Sequence, residues 1–487
     1  MKRSVSRRQF VATASAAAAL SIAAPARAAA EEADVVIVGA GLSGLYAGMI
    51  LTELGLDVVV LEATQRAGGR CLTKDDWHRA PDLGGAQIGN DYARVLDVAR
   101  RLDVKLGPGA HVNAPYSFVV GGQLVAARDW ASSPLNRTVG AERAVPPHAL
   151  GGYYVEGRTP FRTLDGWLDP GAAGYDISLA DWLTKQGASP EARRIIRESQ
   201  GRPLEQLALL RMMQEATRGK IAMEKIDPAQ FRGKDSYERA AITSQHVVGG
   251  TSRLIEAMAT SLGDRVRTGK VVRAIDVRGA RCEVRCADGT RVRARAALAA
   301  VPFSVLRRIA ITPALQGDQA DAVRRMPYGN QSQVWLRVRK PYWEMDGIEA
   351  SMWTDGAFNL IRQQIESDGS RELMSVLAFS EKSVKLDRMP EAERGRFAIA
   401  EIERIRPSTR GLFEFVGAHS WEGQPFQRGC SHQFVPGRVV AWSRAMAAPH
   451  GSLHFAGEHL RRFEVGMEAA MESGERAARE IAERLAG

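Results

Sequence analysis

The sequence predicts two fold classes in one chain, an α/β domain built on a parallel sheet and an α+β domain of mixed sheet and helices. The first observation is a buried apolar strand, Val35 to Val38, that runs into three closely spaced glycines and a helix. The second is another apolar strand, which ends in the acid Glu62. The third is length, because 487 residues are too many for one hydrophobic core.

The glycines Gly39, Gly41 and Gly44 have the spacing of a turn that binds a dinucleotide. Gly39 turns the chain, Gly41 lets the backbone approach a pyrophosphate, and Gly44 lets the following helix pack on its strand. Leu42 and Ser43 lie in the turn that opens this helix, which is predicted over Leu45 to Leu54, and the dipole at the helix N-terminus favours phosphate charge. A structural turn is the alternative, but strand, glycines, helix, strand and acid occur here in order.

The residues from Glu62 onward indicate which dinucleotide binds. Glu62 can accept hydrogen bonds from both ribose hydroxyls, and its charge disfavours a 2′-phosphate. Two segments follow it, Ala63-Thr-Gln-Arg66-Ala-Gly68-Gly69-Arg70 and Asp82-Leu-Gly84-Gly85-Ala86-Gln87. They resemble the Glu-Ala-x-x-Arg-x-Gly-Gly-Arg motif and the second Gly-Gly of the flavin-containing amine oxidase family, the monoamine oxidase-like flavoproteins.

This resemblance implies FAD as the cofactor, with Arg66 and Arg70 offering charge-assisted hydrogen bonds to phosphate. It also implies a Rossmann-like, glutathione-reductase-like FAD-binding domain that is interleaved with a substrate domain. The further cofactor contacts that it implies before the C-terminal part of the chain are Ala63, Gly69, Gly85, Ala86, Gln87 and Val272. The predicted FAD-binding segments are 31–92, 245–303 and 425–487, and the predicted substrate segments are 93–244 and 304–424.

The first 28 residues have the layout of a secretion signal. Ser6-Arg7-Arg8-Gln-Phe10 is a twin-arginine motif, and an alanine-rich run follows it and leads to Ala26-Arg27-Ala28. We expect this segment to be removed and the enzyme to be periplasmic or secreted. Removal of its five cations lowers the net charge from +10 to +5. The remaining arginines are scattered, so no nucleic-acid partner is expected, and no integral membrane anchor is expected either.

Four cysteines in an exported chain raise the question of a disulfide. Cys282 and Cys286 lie on one predicted strand about 13 Å apart, too far for one bridge, so no disulfide is expected. No His/Cys cluster has the spacing of a metal site, and no metal is predicted. The oligomeric state is left open, with a homodimer as one alternative.

The C-terminal part carries the remaining resemblance. The segment Trp421-x-x-x-Pro425-Phe-x-Arg-Gly429-Cys430 resembles the one that places a cysteine at the flavin 8α-methyl in monoamine oxidases. Cys430 is therefore the candidate for a covalent bond to FAD, and the alternative is a small buried hydrophobic residue. The resemblance also implies that Gly457, Glu458 and Met467 contact the cofactor, with the Met467 amide at the isoalloxazine C2 carbonyl.

Two departures from the family concern the chemistry. The family's lysine that holds a water near flavin N5 falls on Gln333, which leaves open an electron acceptor other than O2. The two tyrosines that flank the amine fall on Ser431 and Gly466. The aromatic sandwich is therefore missing unless Trp421, Phe463, Trp335 or His432 replaces part of it. We take Gln333, Trp421 and Phe463 as the candidate catalytic residues.

The predicted function is FAD-dependent oxidation of a small-molecule amine, with hydride transfer from the α-carbon to flavin N5 and hydrolysis of the imine to a carbonyl compound and an amine. The acceptor is O2 or a periplasmic cytochrome or quinone. An L-amino-acid oxidase is the first alternative, although the arginine expected after the second Gly-Gly is absent, and Arg428 could substitute for it. A flavin-dependent desaturase of a lipid or polyene is the further alternative.

Overall fold

The computed structural model describes residues 30–108, 115–234, 236–366 and 368–487. The predicted signal at 1–28 lies outside these residues. Within them, an eight-stranded sheet forms the first layer, and its central strand, Glu31–Val38, pairs in parallel with Val58–Leu61 and Arg291–Ala299. The other strands of this first sheet are Val266–Arg267, Val272–Arg278, Arg281–Cys286, Ala310–Thr312 and Leu453–Phe455.

The apolar run that the sequence predicts as a buried strand has no exposed surface at Val35, Val36 and Ile37. The helix Leu42–Glu53 follows it directly, and a Cβ on Gly44 would lie 2.0 Å from the Gly39 carbonyl oxygen. Only a glycine allows the helix to approach the turn this closely. The long helix Gly466–Ala486 makes a second close approach at Gly474, where a Cβ would lie 2.4 Å from the Ser43 carbonyl oxygen.

The hairpin that Asp288-Gly289 predicts is confirmed, because Arg281–Cys286 and Arg291–Ala299 pair antiparallel on either side of it. The strand Ala310–Thr312 pairs in parallel with Val272–Arg278 and so belongs to the first sheet. It lies within 304–424, the second predicted substrate segment. The predicted domain boundaries remain a proposal.

The second layer is a seven-stranded, mainly antiparallel sheet. One of its faces packs on the helices Ser380–Asp387 and Glu391–Ile405 through a core that includes Val334, Val376 and Ile402. The strands of this second sheet are Tyr116–Val120, Gln123–Val125, Gln331–Val338, Ser351–Thr354, Leu360–Gln364, Leu373–Phe379 and Phe413–Ser420.

Helices surround the two sheets. They are Ala93–Arg101, Leu150–Val155, Leu179–Lys185, Pro190–Gln200, Leu209–Glu224, Ser236–Thr243, Ser252–Leu262, Phe303–Leu306, Gly317–Arg325, Tyr342–Asp346 and Val439–Ala445. Short strands Ile88–Gly89, Leu106–Pro108 and Ser244–Val247 form one small sheet, and Tyr328–Gly329 pairs with Ser431–His432. Within the described ranges, no helix is long and apolar enough to cross a membrane. The four cysteines are free.

Candidate active site

A cavity of about 670 Å³ is lined by residues of both sheets. It brings together most of the side chains and backbone groups that the sequence analysis assigns to the cofactor and to catalysis. Those that line it are Gly39, Gly41, Leu42, Ser43, Glu62, Ala63, Gly69, Arg70, Gly85, Ala86, Gln87, Val272, Gln333, Trp421, Cys430, Gly457, Glu458 and Met467. These residues come from five well-separated stretches of the chain.

Backbone forms one end of the cavity. A Cβ on Gly41 would meet nothing within 4 Å, and a Cβ on Gly69 would meet only the Gly41 Cα, at 3.6 Å. The two glycines therefore face open space at the N-terminus of the helix Leu42–Glu53, where free N–H groups favour an anion. Glu62 is held beside them, since its Oε2 accepts the Ala40 N–H at 2.9 Å and its Oε1 accepts the Thr64 N–H at 2.9 Å.

Three predicted site residues lie apart from the cavity lining. Gly44 supports the turn behind it. Arg66 donates to the carbonyl oxygens of Ala67, Gly69 and Cys71 at 2.8 to 3.1 Å, so its guanidinium fixes the shape of the loop. Phe463 is 36% exposed, and its ring lies against the Arg462 guanidinium.

A buried charged network forms the wall near Cys430. Glu458 Oε2 lies 2.8 Å from His432 Nδ1 and 3.9 Å from Arg70 Nη2. Burial alone would raise the pKa of Glu458, but His432, Arg70 and Arg461 more than offset it and hold that pKa well below its usual range. Arg70 also donates to the Cys430 carbonyl oxygen at 2.5 Å. The loop that carries Cys430 is therefore tied to the glycine-rich loop.

Cys430 lines the cavity, and its Sγ lies 3.1 Å from Gln331 Oε1. Burial raises the pKa of this thiol to about 11, and the nearby Arg70 opposes the rise only in part. At neutral pH the side chain is therefore a thiol rather than a thiolate.

Gln333 and Trp421 are joined through one backbone group. The Leu83 carbonyl oxygen accepts the Trp421 indole N–H at 2.9 Å and the Gln333 amide at 2.8 Å. Trp335 completes the cluster by donating its indole N–H to Gln333 Oε1 at 3.1 Å. Both tryptophans are 1% exposed, so this end of the cavity has rigid aromatic walls.

The cavity also includes side chains that the sequence analysis did not select as site residues, among them Tyr92, Gln331, Arg362 and Leu377. The Tyr92 hydroxyl would lie 3.2 Å from a Cβ at Gly466, the position of one of the missing tyrosines. Tyr92 is therefore an aromatic neighbour of that position from another part of the chain. Its place follows from tertiary packing, and no local motif marks it.

The residues present fit FAD. The glycines leave space for a pyrophosphate at a helix N-terminus, and the cavity continues from there to the Cys430 loop. His459 lines the same cavity, is 1% exposed, and has no hydrogen-bond partner at either ring nitrogen among the described residues. Burial lowers the pKa of His459 well below its usual value, so its ring is neutral. Such an orphaned buried polar group is expected where a ligand supplies the partner.

Comparison with known proteins agrees with this geometry. A family described as flavin containing amine oxidoreductase matches residues 42–482. The chain is 26% identical over 473 residues to a flavin-containing amine oxidase of Danio rerio, which covers 92% of this chain and 85% of that protein. It is 25% identical over 462 residues to amine oxidase B of Mus musculus, covering 92% of this chain and 86% of that one.

Two solved structures have the same fold. A triple mutant of putrescine oxidase, made in a structure-based redesign of cofactor binding, superimposes with a TM-score of 0.75 at 22% identity, covering 94% of this chain and all of that one. Cyclohexylamine oxidase from Brevibacterium oxydans also gives a TM-score of 0.75 at 22% identity, covering 93% of this chain and all of that one.

Proposed function

The chain belongs to the flavin-containing amine oxidoreductase family and is an FAD-dependent amine oxidoreductase, and from this premise we propose that it oxidises a small amine in the aromatic end of the cavity. FAD, when bound, supplies the two-electron chemistry by accepting hydride from the α-carbon, and the imine product is hydrolysed to a carbonyl compound and an amine. The observation that carries the proposal is the continuity of the cavity. Gly41 and Glu62 line the same space as Gln333 and Trp421.

The protein's own residues would position and desolvate the amine. Trp335, Leu377 and Trp421 provide apolar walls, and burial disfavours the ammonium form because desolvation lowers the pKa of an amine. Gln333 has both polar atoms of its amide held, by Leu83 and by Trp335. It is therefore a fixed polar group in the wall, and we propose that it orients the substrate or a water.

We propose that the cofactor is held along its whole length. The N-terminal end of the helix Leu42–Glu53 would take the pyrophosphate, Glu62 the adenosine ribose and Val272 the adenine edge. At the other end, Met467 stands at the start of the helix Gly466–Ala486, whose dipole favours the negative charge of reduced flavin. Cys430 is the proposed attachment point for a thioether bond to the flavin 8α-methyl.

The proposal is tested by anaerobic titration of the purified, yellow protein with a panel of amines. We expect the flavin absorbance to bleach with an amine and to return when an acceptor is added. If no amine bleaches a protein that holds FAD, amine oxidation is wrong. Acid precipitation of the same sample tests the thioether, since flavin released into the supernatant would rule that bond out.

The electron acceptor separates two versions of the proposal. An oxidase regains its colour rapidly in air, whereas a dehydrogenase stays bleached in air and is reoxidised by a cytochrome or a quinone analogue. Gln333, in the place of the family's lysine, supports the second version. Stopped-flow reoxidation in air-saturated buffer, with and without a quinone analogue, measures the difference.

We also propose that residues 1–28 export the folded enzyme by the twin-arginine route, since Arg7 and Arg8 directly precede the apolar run. Replacement of both arginines by lysine should retain the enzyme in the cytoplasm. Cell fractionation followed by detection of the flavin in each fraction measures this. Equal periplasmic yield from both forms would contradict the proposal.

A further inference from the structure

Arg362 is a cation in the wall of the cavity, and the part of the chain that the structure describes provides its guanidinium with no partner. It lies on the strand Leu360–Gln364 of the second sheet, opposite Ser375 of the neighbouring strand. Ser375 in turn pairs with Trp335. Directly paired residues present their side chains on the same face, so Arg362, Ser375 and Trp335 form one row on the face that lines the cavity.

The position of this row fixes the distance from Arg362 to the aromatic end. Arg362 lies two strands from Trp335, which corresponds to about 10 Å between the backbones. The residue between them in this row is the small Ser375, so the row itself places no bulky side chain between Arg362 and Trp335. The positive charge of Arg362 also acts on Tyr116. Burial raises the pKa of that phenol, and Arg362 opposes the rise in part.

The guanidinium of Arg362 makes no hydrogen bond, ion pair or ring contact with any residue that the structure describes. Arg70, which also lines the cavity, meets Glu458. Arg273 and Arg308 of the lining are exposed to solvent. Arg428 is the other half-buried arginine of the lining for which the described residues provide no side-chain partner, and it lies in the C-terminal segment rather than on the sheet. Arg362 is half-buried in the wall beside apolar surface, which removes part of the hydration of its charge. A ligand that brings an anion would replace that lost hydration with an ion pair.

The carboxylates of the described lining are already engaged. Glu62 accepts backbone hydrogen bonds, Asp82 accepts from Thr73 and Thr251, and Glu458 is paired with His432. The sheet face of the cavity therefore has no free carboxylate that could pair with a second positive charge on the substrate. It does have a cation, which could pair with a negative charge. This arrangement disfavours a diamine and favours an amine that carries a negative group.

We propose that Arg362 binds a carboxylate of the substrate, so that the amine oxidised by this enzyme is an amino acid, with its acid group at the α-carbon or farther along the chain. The inference rests on the proposed function for the amine and on Arg362 for the anion. A guanidinium forms two parallel hydrogen bonds with a carboxylate, which fixes the orientation of the amine as well as adding affinity.

The test compares three probes that share one five-carbon amine, namely pentylamine, norleucine and 6-aminohexanoate. Norleucine carries the carboxylate at the α-carbon, and 6-aminohexanoate carries it at the far end. We measure the anaerobic bleaching rate of the holoenzyme as a function of probe concentration. One of the two acids should exceed pentylamine at least tenfold in kcat/KM, and which one it is locates the anion.

Arg362→Gln should lower kcat/KM for the preferred acid about 10- to 100-fold and leave pentylamine nearly unchanged, because charged hydrogen bonds are lost only with the acid. Arg362→Lys should fall between the two, since it keeps the charge and loses the fork. Arg337→Gln is the matched control. Arg337 lies on the strand Gln331–Val338 of the same sheet, two strands from Arg362, and it is outside the cavity lining and paired with Glu372. Its loss should change no probe.

A binding measurement separates this inference from the proposed function. Hexanoate carries the acid without the amine, and we follow its binding through the shift that it causes in the flavin absorption spectrum. Wild type should bind hexanoate, and Arg362→Gln should bind it at least tenfold more weakly while keeping its flavin content and Tm. If no amine bleaches the flavin but this difference persists, amine oxidation fails and the anion site stands. Equal hexanoate binding, or pentylamine as the best probe, overturns the anion site.

Discussion

Replacement of Gly41 by alanine should separate folding from cofactor capture. The backbone at Gly41 has φ −78° and ψ 177°, which alanine adopts without strain, and the added Cβ meets no protein atom within 4 Å. The substitution reduces the freedom of the unfolded chain, so the apoprotein should gain about 0.4–1 kcal/mol of stability. The methyl group, however, points into the space assigned to the pyrophosphate.

The substitution should therefore weaken FAD binding without destabilising the apoprotein. Loss of charge-assisted hydrogen bonds between the phosphate and the helix N-terminus is worth about 1.5–3 kcal/mol, which corresponds to a Kd about 10- to 150-fold higher. Gly44→Ala is the contrasting variant, because its Cβ would lie 2.0 Å from the Gly39 carbonyl oxygen. It should cost about 1–3 kcal/mol of apoprotein stability through overpacking.

The assay needs two readouts on flavin-free protein made in a Cys430→Ser background, so that no covalent bond obscures the equilibrium. Urea unfolding gives the free energy of unfolding, and quenching of FAD fluorescence gives the Kd. Gly219→Ala, exposed in the helix Leu209–Glu224 with no neighbour within 4 Å, controls for the glycine-to-alanine change. Unchanged FAD affinity in Gly41→Ala, or apoprotein destabilised as much as in Gly44→Ala, would refute the assignment of the phosphate site.

Three further outcomes are expected. Burial raises the pKa of Glu366 to about 7. Between pH 4.5 and 7 the folded state therefore binds more protons than the unfolded state, and the free energy of unfolding falls as the pH rises. The Tm of Glu366→Gln should fall less than that of wild type from pH 5 to 8, and parallel Tm curves would contradict this. The Cys430 thiol has a pKa of about 11, so its thiolate fraction rises with pH. Flavin that stays on the protein after acid precipitation should therefore accumulate faster on reconstitution at pH 9 than at pH 7, and not at all in Cys430→Ser. A pH-independent rate would exclude attack by the Cys430 thiolate. Gln333→Lys adds a cation beside the aromatic end of the cavity. It should speed the reoxidation of reduced enzyme in air, measured by stopped flow, because positive charge favours electron transfer to O2. An unchanged rate would show that residue 333 does not determine how fast the enzyme reacts with O2.

The sequence was sufficient wherever local pattern determines structure. The buried strand before Gly39 and the hairpin at Asp288-Gly289 depend on residues close in the chain, and both are found where they were expected. The motif from Glu62 to Arg70 was equally informative about the residues near the cavity. The motif does not indicate which of its two arginines lines the cavity. The Arg66 side chain donates instead to carbonyl oxygens of its own loop, and only the folded backbone brings these oxygens together.

Side chains on the second sheet could not be predicted in this way. Arg362 and Leu377 are ordinary strand residues, and they reach the cavity because of the register between Leu360–Gln364 and Leu373–Phe379. A shift of one residue in that register would turn each of them to the opposite face. Phe463 illustrates the reverse case, since an aromatic residue near a family motif lies on the surface beside Arg462.

The Leu83 carbonyl oxygen connects three parts of the cavity wall that are distant in the sequence. It accepts hydrogen bonds from Gln333, 250 residues away, and from Trp421, 338 residues away. A carbonyl oxygen has two lone pairs, so these two donors saturate it. The segment that carries Leu83, the second sheet and the C-terminal segment are thereby held together at one carbonyl oxygen. A substitution at Gln333 consequently alters the support of Trp421 as well as the polarity of the wall, and kinetic effects of the two residues should be strongly non-additive.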